Sequence, residues 1–204
     1  MIFALYYSLK MKNMRTKVVT IMMIIGLSFL SFINGTPDPQ SGLQIGNKAP
    51  RICAYLIDGT PIDLDSLKGK MILIDFWASY DANSRIENIQ KKNIFNKYEE
   101  SCFINADGLI VVSISLDRFK TPLKMTIESD ELYSFKHLCD YYGQESDLAM
   151  TYKVENNNFP NFLIDGEGRI VASDVSLDEI DSTLHRLEEK NMSNLALNLS
   201  GSFY

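Results

Sequence analysis

The sequence predicts an α/β sandwich, a mixed central sheet flanked by helices. Three observations carry this: two continuous apolar runs of strand length, helical patterns lying between and after them, and a glycine-containing turn joining two shorter strands. Residues 71–78, MILIDFWA, are apolar except for one aspartate, as expected of a strand buried on both faces. Residues 108–117, GLIVVSISLD, form a second such run. The segments NFLID and RIVASDV flank Gly166-Glu167-Gly168, which reads as a hairpin turn. Residues 84–100 are long, polar and free of Gly and Pro, and so predict a helix, with Ser84-Arg85-Ile86-Glu87 as a capping box at its start. A second box, Ser176 with Glu179, opens a last helix whose Leu177, Ile180, Leu184 and Leu187 recur on one face. Strands alternating with helices, closed by a hairpin and a final helix, give the layered α/β class.

Composition narrows the rest. The 204 residues, 46% apolar and 23% charged, suit one domain with short extensions and exclude collagen-like, low-complexity and disordered chains. Residues 1–35 carry Lys10, Lys12, Arg15 and Lys17 and no acid, which leaves a net charge of −10 on the remainder. An acidic body repels phosphate backbones, so nucleic acid is not an expected partner. The basic residues precede an apolar run at 18–33 that Asn34, Gly35, Thr36 and Pro37 break, the pattern of an export signal. Sixteen residues are short of the roughly 20 a spanning helix needs. A cleaved signal peptide at 1–35 is therefore the first reading, and an uncleaved anchor holding the protein to the membrane through 18–33 the second. Residues 36–46 (TPDPQSGLQIG) read as a linker, 47–190 as the domain and 191–204 as a C-terminal tail without a usable pattern. Cys53, Cys102 and Cys139 are far apart and form no C-x-x-C pair. Three buried structural thiols is the simplest reading of them.

The string GTPIDLDSLKGKMILIDFWASYDANSR resembles the start of the exported thioredoxin-like domains of the TlpA/ResA type, a branch of the redoxin (AhpC/TSA-like) proteins. Gly59, Leu64, Leu67, Lys68, Gly69, Lys70, Phe76, Trp77, Ala78, Ser79 and Arg85 match that family's lead-in and strand in register. A second block, HLCDYYGQESDLAMTYKVENNNFPNFLIDGEGRIVA, is similar to the family's segment leading to its cis-proline and hairpin, with Pro160 on the cis-proline position and Asp165 and Gly168 in the hairpin. The resemblance covers about 45–190. It implies a thioredoxin-like sandwich, with an insertion of the TlpA/ResA kind between 84 and the cis-proline.

The resemblance departs from the family at the chemistry. Its register puts Asp81 where the attacking cysteine of C-x-x-C belongs and Ser84 where the resolving cysteine belongs. Dithiol exchange needs a thiolate whose pKa is lowered at a helix N-terminus, and a second thiol to resolve the mixed disulfide. Neither a carboxylate nor a hydroxyl serves, but both stabilise a helix start by charge and by capping. No catalytic residue is therefore expected at 81 or 84. Asp75 matches the buried acid of plain thioredoxin, and reads either as a satisfied polar residue or as a carboxyl with a raised pKa. His137 lies two positions from Cys139, on one face if the segment is a strand, and so Cys139 is the candidate reactive thiol. The ordinary reading is coincidence. His185 is expected on an exposed helix face. No metal-ligand spacing, phosphate loop or hydrolase elbow occurs, and no cofactor or metal is expected.

Three functions follow. The first is a redox-inactive, exported binding module, periplasmic or envelope-associated, that holds an extended peptide client or an envelope protein at a surface of Trp77, Tyr80, Asp81, Phe159 and Pro160. The second is a thiol-disulfide oxidoreductase or peroxiredoxin-like enzyme using a displaced cysteine. The third is a new acidic site made by Asp81 with Asp75.

Overall fold

The computed structural model describes residues 40–156 and 158–188. The expected signal or anchor at 1–35 and the tail at 191–204 lie outside them. Five strands form the central sheet: β3 (Met71–Trp77), β6 (Leu109–Ser115), β7 (Lys136–Leu138), β8 (Asn161–Ile164) and β9 (Ile170–Ser173). Their order is β7-β6-β3-β8-β9, with β3, β6 and β7 parallel and with β8 antiparallel to both β3 and β9. The sheet is mixed, as expected. Two short antiparallel ribbons, β1 (Cys53–Tyr55) with β2 (Pro61–Asp63) and β4 (Cys102–Phe103) with β5 (Ala106–Asp107), lie outside it.

β3 sits at the centre, and all seven of its residues are buried. The strand alternation splits its side chains between two cores. Met71, Leu73 and Trp77 face α1 (Ala82–Tyr98), α2 (Lys120–Ser129) and α4 (Leu177–Leu187), which contribute Ile94, Tyr98, Leu123, Ile127, Ile180 and Leu184. Ile72, Ile74 and Phe76 face the other way, toward Ala49, Ile52, Ile62, Leu64 and, at and beyond α3 (Asp147–Thr151), Ala149, Tyr152 and Val154. The span between α1 and Pro160 carries the ribbon β4–β5, a 3-10 turn at Gly143–Glu145 and α3 in addition to β6, α2 and β7.

Helix starts follow local capping. Ser176 caps α4 by accepting from the Glu179 backbone N–H, as the sequence predicts. At α1 the expectation needs correction. Asp81, in extended backbone, is the cap and accepts from the Ser84 N–H at 2.7 Å, so Ser84 lies inside the first turn and is buried rather than opening the helix. Asp is as good a cap as Ser, and Ser84 falls on the helix face turned to the sheet.

Three further expectations change. Part of the expected linker belongs to the folded body: Ser41 bridges Lys48, Gly46 N–H donates to the Ile170 carbonyl at 2.8 Å, and Leu43 packs on the second core. No cis peptide bond occurs among the described residues, so Phe159–Pro160 is trans. Trans is the default for an X–Pro bond, and here Pro160 leads straight into β8 while its carbonyl accepts from Phe76 N–H at 3.2 Å. Cys53 and Cys102 are exposed rather than buried, because each lies on a short peripheral ribbon. The β8–β9 turn needs its glycines. A Cβ on Gly166 would come within 1.8 Å of the Asn105 carbonyl oxygen, and Gly168 has φ +84.

Candidate functional site

Parallel strands β3 and β6 end side by side, and the crevice outside such carboxyl ends is where α/β sheets usually bind ligands. Residues 79–81 leave β3 there and enter α1, and residues 116–119 leave β6 and enter α2, with Leu116 N–H donating to the Trp77 carbonyl at 2.8 Å. Between them lies a groove of about 500 Å³ lined by Ser79, Tyr80, Leu116, Asp117, Arg118, Phe119, Pro122, Gly143 and Gln144.

Asp117 ties the two loops together. It is buried, and its carboxylate accepts from Ser79 N–H at 3.0 Å, Ser79 Oγ at 2.5 Å and Ser115 Oγ at 2.6 Å. These bonds hold Tyr80 outward, 66% exposed at the groove. Burial of its ring first, and then the negative charges of Asp117 and Asp81, push the Tyr80 phenol above its ordinary value, with Arg118 opposing. Arg118 pairs with Glu145 at 3.4 Å across solvent.

The expected binding surface is only partly assembled. Tyr80 lines the groove and Asp81 follows it as the half-buried helix cap. Trp77 does not belong to a surface. It is 0% exposed, because it ends the central strand and points into the core beneath the helices. Pro160 is also buried, and Phe159 is half-buried against the opposite core.

Beneath the helix start lies a polar interior. Lys91, 1% exposed, pairs with the buried Asp75 at 2.7 Å and with the surface Glu87 at 3.3 Å. Desolvation raises the Asp75 carboxyl, with Lys91 opposing. Asp75 Oδ2, Trp77 Nε1 and both amide atoms of Asn88 are buried without hydrogen-bond partners. Asp75 and Asp81 thus have separate partners, a buried ammonium and a backbone N–H, and do not form a joint acidic site.

The His137–Cys139 pairing does not form. His137 is buried, with Nε2 at 2.8 Å from the Leu132 carbonyl and Nδ1 at 3.1 Å from Ser113 Oγ. The carbonyl can only accept, so Nε2 carries the proton and Nδ1 accepts from the serine. Cys139 donates instead to the Asp117 carbonyl at 3.2 Å, and burial pushes its thiol up to about 11, away from the thiolate a nucleophile needs. His185 is exposed, as expected.

The groove's β6 side, from Leu116 to Pro122, was not among the sequence candidates. One signal could have found it: Asp117 closes a run of strand length broken only by Ser113 and Ser115, which marks the carboxyl end of a strand next to β3 in a parallel pair.

No family model matches the chain. It is 23% identical over 164 residues to the thiol-disulfide oxidoreductase ResA of Bacillus cereus, a match covering 80% of this chain and 88% of that protein. Among solved structures it is similar to a thioredoxin-like protein from Parabacteroides distasonis, at 30% identity and a TM-score of 0.55 over 72% of this chain and 98% of that one. It is also similar to the thioredoxin domain of a thiol-disulfide oxidoreductase from Bacteroides vulgatus, at 26% identity and a TM-score of 0.61 over 71% and 98%.

Proposed function

We propose, since the chain belongs to the TlpA/ResA-type thioredoxin-like proteins, that it is a redox-inactive member of them, an exported module that binds an extended peptide or envelope protein. One observation carries the reading: Asp81, with its carboxylate on the Ser84 N–H, occupies the helix-start position where the family's register puts the attacking thiol. The fold's dithiol chemistry needs a thiolate there. Here the helix start holds an acid, Ser84 stands where the resolving thiol belongs, and Cys139 is bonded to the Asp117 carbonyl with a raised pKa. What remains is the surface, a groove at the sheet's carboxyl end with Tyr80 exposed on its rim. Export rests on the basic residues before the apolar run at 18–33.

The other reading, an oxidoreductase working through a displaced cysteine, draws on the similarity to proteins named thiol-disulfide oxidoreductases and on the exposure of Cys53 and Cys102. An insulin-reduction assay separates the two. The native protein should show no turnover, whereas Asp81→Cys combined with Ser84→Cys should gain it, since thiols would then stand at the N-terminus of α1. Turnover by the native protein that disappears when one of its own cysteines becomes Ser would establish the enzyme instead.

A further inference from the structure

The rim of the groove has two features that the fold itself does not use. Phe119 stands at the N-cap of α2, where it makes no capping hydrogen bond, and its ring is 73% exposed. Tyr80 presents a second exposed ring to the same groove. Large rings left in solvent at a concave site carry no stability, but they offer faces to a ligand.

The charge beside these rings is mainly negative. Asp117 is held by three neutral donors, and Asp81 spends an oxygen on a backbone N–H; neither has an ion-pair partner among the described residues. The groove's one lining cation, Arg118, is already answered by Glu145. Two uncompensated carboxylates therefore flank Tyr80, on a body whose net charge is −10 from residue 36 onward. Such a field draws cations toward the cleft, and an aromatic face holds an ammonium or guanidinium best where carboxylates stand nearby.

We propose that the groove takes an extended peptide through a lysine or arginine side chain laid against the rings of Tyr80 and Phe119, with Asp81 and Asp117 answering its charge. The proposal rests on the peptide-binding reading above and adds a basic specificity to it. The rings take the aliphatic stem and the face of the cationic head. The carboxylates set the sign of the charge that is accepted, and a glutamate in the same place would meet both of them.

The test uses the full chain and fluorescein-labelled heptapeptide pools, random at six positions and fixed at the centre as lysine, arginine, glutamine or glutamate, read by fluorescence anisotropy. The lysine and arginine pools should bind about tenfold tighter than the glutamine pool, a difference of about 1.4 kcal/mol, and the preference should shrink as salt rises. Asp81→Asn keeps the helix cap, since Asn caps as well as Asp, and should cut the preference. Tyr80→Leu with Phe119→Leu should abolish it. Equal binding of all four pools, weakened throughout by the ring substitutions, would overturn the basic specificity and leave the peptide-binding reading standing. Binding by no pool would overturn both. A basic preference that survives Asp81→Asn and the double ring substitution would place recognition elsewhere and overturn the proposal.

Discussion

The two faces of the central sheet are built on opposite plans from the same strands. Toward α3 and the N-terminal segment, β3, β6 and β8 present Ile72, Ile74, Phe76, Val112, Ile114, Phe162 and Ile164, an apolar layer. Toward α1, α2 and α4 the alternate positions of β3, β6 and β7 include Asp75, Ser113, Ser115 and His137, and α1 adds Asn88 and Lys91. The first face is held by area removed from water, and the second partly by partners that must be present together. A buried ion pair adds little net stability, yet removing one member leaves a charge in the core. The polar face is also the one under α1, whose first turn follows the groove residues Ser79 and Tyr80.

The largest expected effect breaks the polar face. Lys91→Ala should cost about 3–5 kcal/mol in urea denaturation at pH 7, because Asp75 is then buried without its cation. The Asp75 carboxyl already lies above its ordinary value of 3.8. A raised carboxyl contributes stability that is complete below the unfolded pKa and lost as pH rises through the folded one. The Lys91→Ala deficit should therefore shrink on acidification, and Lys91→Met with Asp75→Leu should recover most of it. A deficit that is the same at pH 7 and pH 4 would mean that the charge on Asp75 is not its cause.

A smaller effect follows from His137. Burial lowers its pKa below 6.5. The stability it contributes is present above 6.5 and is lost as pH falls through the folded value, with a slope of at most about 1.4 kcal/mol per pH unit. His137→Gln should remove that part of the acid sensitivity. Identical pH profiles for the two proteins would show that His137 titrates alike in the folded and unfolded chains.

The smallest effect sharpens the contrast from the other side. Ile74→Val, on the apolar face, should cost about 0.5–1.5 kcal/mol, and the cost should not change between pH 5 and pH 8, since no titrating group is involved. A pH-dependent cost there would link the two faces and weaken the comparison.

Much of this architecture can be read directly from the residues. The runs at 71–78 and 108–117 became β3 and β6, the Gly166–Gly168 turn became the β8–β9 hairpin, and Ser176 capped α4, because strand burial, turn backbone and capping are decided within a few neighbouring residues. The same local chemistry made it clear that the helix start carries no thiol. What surrounds each side chain was decided only by the tertiary structure. Lys91 reads as one more solvated lysine on a polar helix until the packing of α1 on β3 buries it against Asp75. Trp77 reads as a surface ring until its strand proves central, and Cys139 and His137 read as neighbours until each finds a different partner. The groove belongs to this second class, since Tyr80 and Phe119 are thirty-nine positions apart and meet at one rim only because β3 and β6 run parallel and end level. Local pattern sets which elements form, whereas partners, burial and the site depend on contacts between segments distant in the chain.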